Sequence, residues 1–463
     1  MIPAWPEALI WCRCDVNLSR SSEAVSETKP IRALRGRLLW FVADPHDAGD
    51  AAHRYVEDGL VVVDNGVIAF VGEASHLLAT LPPEAEITDH RPHLIMPGFI
   101  DAHLHMPQTQ VIASYGAQLM DWLNRYTFVE EQKLSQQGQP EKLATFLLDE
   151  LLANGTTTAV IYCSVHPQSA QALFRESERR NTRMVAGKVM MDRNAPEALT
   201  DTAASGYADS KALIERWHGK GRQLYAISPR FAVTSTPEQM EAAGRLAAEH
   251  PDCHVQTHIN ENRAEIAFAN ELYPELGDYA GIYQHYGLLG PRSLLGHCIH
   301  MTDREWRRFA ETGTVAVFCP TSNLFLGSGL FDWARARAEG VPVAVATDIG
   351  GGTSYSMLRT MSEAYKVLQL QGQSLSAFAA LHAITLGNAK ALKLDHLIGS
   401  LEPGHEADLV VLDPAAQRAM AHRLETARDL AEELFVLVTL GDERNVVATY
   451  VAGDRQRRPS ASR

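Results

Sequence analysis

His103 and His105 stand two residues apart in "PGFIDAHLHMPQTQ" (residues 97–110). Residues two apart on a strand share a face, so the two imidazoles aim the same way. A single strand-end histidine is commonly a hydrogen-bonded structural residue, whereas a pair on one face suggests that something is being held. Further along the chain come Arg230 in "SPRF", His258 and Glu261 in "THINENR", His297 in "LGHCIH" and Asp348 in "VATDIGGG". His103, His105 and His258 offer three nitrogens, and Asp348 adds a carboxylate. That set suits a borderline divalent ion such as Zn²⁺ or Fe²⁺, and not Mg²⁺ or Ca²⁺, which take oxygen. A metal there lowers the pKa of a bound water toward ~7 and makes hydroxide available at neutral pH. Glu261 follows His258 closely and is placed to carry a proton between that water and a substrate. His297 is a further imidazole, able to orient hydroxide or polarise a substrate group. His93, His166, His254, His285, His300 and His382 have no such company and read as structural or surface residues.

These residues meet only if the fold brings them together. Between Pro97 and about Leu394, eight short apolar runs alternate with amphipathic stretches. The runs are "HLIMPGFIDAHLH", "TTTAVIYCS", "RMVAGKVMMD", "LYAISPRFAV", "HVQTHIN", "SLLGHCIH", "TVAVFCP" and "VPVAVATD". Helical stretches such as "PEKLATFLLDELLANG" and "PEQMEAAGRLAAEH" lie between them. Eight strand–helix repeats over roughly 300 residues predict a (β/α)8 TIM-like barrel, whose sites form at the carboxyl ends of the strands. The unusual polar residues all fall at such ends. A doubly wound sheet is the runner-up, but no Gly-rich phosphate turn follows the first strand. Lys188, in "AGKVMMD", falls on the third strand, and the fourth has no lysine that could bridge two ions after carboxylation. A single metal is therefore favoured.

Hairpin-like pieces flank the barrel: "GLVVVDNGVIAFVGEA" on one side, "GSLEPGHEADLVVLDP" and "VVATYVAG" on the other. The economical reading is a small β-sandwich domain built from both termini, residues 31–96 with 395–463, around a barrel of residues 97–394. Residues 1–30 turn polar and read as a loose N-terminal extension with no secretory leader.

The 463 residues carry a net charge of −14, which argues against a nucleic acid or an anionic membrane as the main partner. No run of about 18 apolar residues appears, so no membrane helix is expected. Cys12, Cys14, Cys163, Cys253, Cys298 and Cys319 are too few for a disulfide framework and read as reduced thiols of a cytoplasmic protein. "WCRC" has no partner motif that would complete a metal site.

The motifs resemble those of the amidohydrolase superfamily. "PGFIDAHLH" is similar to its first-strand signature, and "GSLEPGHEADLVVLD" to its return into the small β domain. The resemblance covers the chain from about residue 31; His405 stands where lysine is frequent. It implies metal-dependent hydrolysis at a C–N bond, and the single-metal ligand set points to the deaminase-like branch. It further implies one Zn²⁺ per subunit, with Fe²⁺ as the other candidate, and a homodimer.

Five stretches are similar to members that deaminate a free purine base in purine catabolism: "HMPQTQVIASYGAQLMDWLNRYTFVEE", "AGKVMMDRNAPE", "SPRFAVTST", "THINENRAEI" and "TDIGGGTSYSML". By those motifs His103, His105, His258 and Asp348 bind the metal and Glu261 shuttles protons. Asp348 is also a base, and His297 lies against hydroxide and substrate. Gln108 and Arg230, with Phe231, contact the purine, while Trp122 and Leu119 wall the pocket. Asn260 stands where serine is common. A guanidinium matches a carbonyl edge, an amide matches ring nitrogens, and aromatic rings stack on the faces of a planar base. Each contact residue has a plainer reading too: Arg230 as a rim salt bridge, Gln108 as a helix cap, Trp122 and Leu119 as the apolar face of a helix. The competing functions are another single-metal aminohydrolase, acting on an oxidised purine, cytosine, a triazine or an adenosine-like molecule, and a barrel used only for binding or assembly. The second fits poorly, because every ligand position and Glu261 are present.

Overall fold

A computed structural model describes residues 30–115 and 119–456. The extension expected over residues 1–30, with Cys12 and Cys14, lies outside the described residues apart from Pro30. The chain opens with β1 (Arg32–Phe41), β2 (His53–Asp64), β3 (Val67–Glu73) and β4 (Glu86–Pro97). The hairpin expected at "VVVDNGVIAFVG" joins β2 to β3. Asn65 and Gly66 form its turn with φ of 50° and 86°, and asparagine and glycine are the residues that accept positive φ there.

The middle of the chain supplies β5 (Phe99–His105), β6 (Thr156–Tyr162), β7 (Arg183–Gly187), β8 (Val189–Met190), β9 (Leu224–Pro229), β10 (His254–Ile259), β11 (Ser293–His297), β12 (Val315–Phe318) and β13 (Val343–Val345). Apart from β8, a short piece paired with β9, these strands form one parallel sheet in chain order. The eight apolar runs are its eight strands. Every residue of β5, β6 and β7 is buried, as expected for a parallel sheet covered on both faces. The ends of the sheet meet beyond β13, where Asp348 N donates to His103 O at 2.9 Å and His105 N to Ile349 O at 2.6 Å. The result is the (β/α)8 barrel.

The helices follow from spacing and end signals. Gln139–Ala153 carries Pro140 in its first turn and buries Leu143, Leu147, Leu148, Leu151 and Leu152, one face of a 3.6-residue period. Gly155 ends that connection at φ 82°. A Cβ there would come within 2.6 Å of Val410, where the barrel packs on the terminal sheet.

β14 (Leu409–Leu412), β15 (Val446–Val451) and β16 (Asp454–Arg455) complete that sheet, ordered β16-β15-β14-β4-β1-β2-β3. Both termini thus supply one β unit. β4 passes through Gly98 directly into β5. Gly98 N donates to Asp408 O at 2.8 Å, and a Cβ on Gly98 would lie 2.3 Å from Thr157 Oγ1. The strand bearing the paired histidines is therefore anchored from behind. The C-terminal segment also holds the helices Arg418–Leu424 and Leu430–Leu440; the second reaches the barrel helix Met357–Gln369 through Ser362 Oγ and Thr439 O, 3.0 Å apart. Among the described residues, no helix is long and apolar enough to cross a membrane, and Cys163, Cys253, Cys298 and Cys319 are buried free thiols.

Candidate active site

The strands deliver the polar residues to one mouth. His103 and His105 lie at the end of β5, His258 near the end of β10 and His297 at the end of β11; Arg230 follows β9, and Asp348 lies just beyond β13. His105 Nε2 is 3.1 Å from His258 Nε2. Asp348 Oδ1 is 3.3 Å from His103 Nε2 and 3.6 Å from His105 Nε2. His297 Nε2 is 3.3 Å from Glu261 Oε2 and 3.9 Å from Asp348 Oδ2. Gly296, beside His297, leaves room for the neighbouring ring: a Cβ would stand 2.9 Å from His103 Cε1.

The residues fit a cation. His103 Nε2 is buried without a hydrogen-bond partner. His258 Nδ1 donates to Arg230 O at 2.7 Å, which turns the Nε2 lone pair toward the cluster. Burial and neighbouring imidazoles hold His105 and His258 well below the usual histidine pKa, so both are neutral, the form that ligates metals. Burial alone would raise the Asp348 carboxyl, but His103, His297 and His258 outweigh it and bring it to about 2. Lys188 is elsewhere engaged: its buried ammonium pairs with Asp201 Oδ2 at 2.5 Å.

Glu261 is held by its own loop. Asn262 and Glu265 form a capping box for the helix Arg263–Leu272, and Glu265 Oε2 accepts from Glu261 N at 2.9 Å and Asn262 N at 3.0 Å. Asn260 has φ 54°, a left-handed conformation that asparagine tolerates better than most residues. Burial, then the Glu265 and Asp348 carboxylates, push the Glu261 carboxyl well above its usual range, against one stabilising bond from Ser328 Oγ at 3.0 Å. A carboxyl beside the imidazole–carboxylate cluster and shifted in this direction is suited to taking up a proton. Burial lowers His297 to about 4, leaving it neutral. Asn323 Nδ2 donates to His297 Nδ1 at 2.9 Å, which places the ring proton on Nε2, facing Glu261. His297 and Asp348 both adopt positive φ, 83° and 52°, a conformation that concentrates at functional sites in non-glycine residues.

A cavity opens against this cluster. Gln108, Arg230, Phe231, Leu119 and Trp122 line it. Arg230 lines the cavity, and its Nη1 pairs with the buried Glu131 at 2.6 Å. Gln108 Nε2 donates to the same carboxylate at 3.1 Å, and Gly350 N donates to Gln108 Oε1 at 3.3 Å. Trp122 Nε1 donates to Ser114 O at 3.2 Å. Glu131, Asn323 and Ser328 were not singled out from the sequence. The "NRAE" capping box could have marked the Glu261 loop, but no local spacing ties Glu131 to Gln108 or Arg230.

The chain belongs to the amidohydrolase family, whose profile matches residues 94–455. A barrel with strand-end imidazoles and a closing aspartate is the architecture of that metal-dependent class. Within it, the chain is similar to the guanine deaminase of Escherichia coli (strain K12), at 47% identity over 426 residues, 91% of this chain and 97% of that one. The solved structure of the E. coli guanine deaminase superposes with a TM-score of 0.90 at 45% identity, covering 93% of this chain and all of the other. The guanine deaminase from C. acetobutylicum, solved with guanine bound in its active site, superposes with a TM-score of 0.82 at 28% identity, covering 92% and 99%.

Proposed function

We propose that this chain hydrolyses guanine to xanthine and ammonia, with one Zn²⁺ held by His103, His105, His258 and Asp348. One observation carries the reading: a single cavity has the imidazole–carboxylate cluster with Glu261 on one side and Arg230 and Gln108 on the other. Three nitrogens and one carboxylate favour zinc or Fe²⁺ over harder ions.

A cation held by His103, His105, His258 and Asp348 would supply Lewis acidity that eases proton loss from water at the site. Glu261 accepts that proton and delivers it to the ring nitrogen beside C2 as the water oxygen bonds to C2. The His297 Nε2–H holds the attacking oxygen. Asp348 takes the second water proton and passes it to the C2 amine; the C–N bond breaks, ammonia leaves and the C2 carbonyl forms. Arg230 donates to the guanine carbonyl, Gln108 meets ring nitrogens, and Phe231 with Trp122 and Leu119 encloses the planar base. A site built on such hydrogen bonds rejects analogues that lack them.

The reaction belongs to guanine catabolism, and the buried thiols fit a reducing cytoplasm. Light scattering tests the homodimer that the superfamily resemblance implies. The deciding assay follows ammonia release from guanine by zinc-replete protein, beside cytosine, an aminotriazine and adenosine. Guanine turnover far above the others is expected. Turnover of another member with guanine inert overturns the assignment.

A further inference from the structure

We infer that Glu131 is a positioning residue for substrate recognition, holding Arg230 and Gln108 in one mutual orientation from behind the cavity. The inference deepens the guanine reading and rests on it. Glu131 is 1% exposed and ends the short helix Phe128–Glu131. Its two oxygens are divided between the two side chains that face the base: Oε2 accepts from Arg230 Nη1 at 2.6 Å and Oε1 from Gln108 Nε2 at 3.1 Å. Of the two, Glu131 meets the guanidinium through Nη1, leaving the rest of the fork for a ligand.

The same carboxylate decides which way the Gln108 amide faces. An ionised carboxylate only accepts and the Gly350 N–H only donates. With Nε2 on Glu131 and Oε1 on Gly350, turning the amide over would set acceptor against acceptor and donor against donor. One amide N–H and one oxygen lone pair then remain for a ligand in known places. Gly350 has no room to give: a Cβ there would stand 2.3 Å from Gln108 O.

The helix that carries Glu131 also carries Phe128, whose ring lies 5.4 Å from the Arg230 Cζ. One turn of helix therefore supplies both the countercharge and the stacking surface of the guanidinium. The preceding turns, Leu119–Trp122 and Leu123–Thr127, put Leu119, Trp122 and Leu123 into the cavity wall. The described turns from Leu119 to Glu131 thus carry an apolar wall first and the carboxylate that bonds Arg230 and Gln108 last. A buried guanidinium without its partner is free to reorient and is poorly tolerated, so the clamp sets both geometry and affinity.

Glu131→Gln is the test, read on guanine turnover and on binding of xanthine and 2-aminopurine by calorimetry. Xanthine keeps the carbonyl edge, and 2-aminopurine keeps the C2 amine but lacks the C6 carbonyl. The variant should raise the guanine KM and the xanthine Kd by about tenfold or more, the scale of one or two charge-assisted hydrogen bonds. kcat should change by less than about threefold and zinc content should hold. Binding of 2-aminopurine, which keeps the ring nitrogens that Gln108 meets but lacks the carbonyl that Arg230 meets, should weaken less than that of xanthine, and the melting temperature should fall because a buried pair is broken. Unchanged guanine KM and xanthine Kd overturn the clamp, as does equal weakening of both ligands with loss of zinc. Should Glu131→Gln fail to fold, Glu131→Asp keeps the charge but is too short to reach both partners; a guanine KM equal to that of the unaltered protein then overturns the clamp. An unaltered protein inert toward guanine sinks the substrate reading itself. Turnover of guanine by the unaltered protein with an indifferent Glu131→Gln sinks only the clamp.

Discussion

Asp348 Oδ1 lies 3.3 Å from His103 Nε2, across the seam where the last barrel strand meets the first. The backbone makes the same junction, through Asp348 N to His103 O and His105 N to Ile349 O. Asp101 reinforces it from below, accepting from Thr347 N at 3.0 Å and from His103 N at 3.3 Å. Closing the barrel and assembling the proposed ligand set are thus one structural event.

Asp348→Asn tests that coupling. It keeps the size and removes the charge that faces three imidazoles. Bound metal after dialysis should fall by more than about tenfold, the lower end of what even an outer partner of a ligand contributes. Elemental analysis reads the loss, and circular dichroism should show the barrel retained. Full metal occupancy in the variant removes Asp348 from the ligand set.

Glu261→Gln separates proton transfer from metal binding. Its amide still fits beside Ser328, and no proposed ligand is altered. The metal should stay at one per chain while kcat falls by about 10²–10⁴-fold, the usual contribution of a positioned acid–base group. A rate near that of the unaltered protein ends the shuttle role.

Arg230→Ala has two readouts. Guanine turnover should drop while metal content holds, because the Arg230 side chain pairs with Glu131 and touches no proposed ligand. The truncation also strands a buried carboxylate, so stability should fall by about 3–5 kcal/mol, the usual cost of breaking a buried pair. Adding Glu131→Gln should recover part of that stability in denaturant melts. No recovery in the double variant contradicts the pairing as the source of the loss.

His254 predicts an acid limit to folding that is independent of the site. It is fully buried, bonds Leu392 O at 2.9 Å, and burial lowers its pKa from 6.5 to about 4. The unfolded chain therefore binds the proton at a higher pH than the folded one. The stability it contributes is complete above pH 6.5 and is lost as pH falls toward 4. Melting temperature should decline over that window, and His254→Gln should flatten the decline. An unchanged slope in the variant assigns the acid sensitivity to other groups.

The local order of residues was enough for the barrel and for which polar side chains gather at its mouth. Apolar runs alternating with amphipathic helices leave a periodic trace, and each run became a strand. His103 and His105 could be paired because a strand repeats every two residues, and His258, His297 and Asp348 could be joined to them because strand ends share one rim. The "DNG" turn of the first hairpin was legible for the same local reason, since its backbone demands those residues. Partnerships made by folding leave no such trace. Nothing in spacing links Glu131 to Gln108 and Arg230, or Asn323 to His297, because each pair is joined only after separate elements pack. The helices Arg418–Leu424 and Leu430–Leu440 lie in a segment expected to be β; the second packs on the barrel helix Met357–Gln369. Sequence thus determined which donors exist and on which rim they stand. Only the tertiary structure decided which carboxylate bonds Arg230 and Gln108, because a hydrogen bond depends on distance in space and not on distance along the chain.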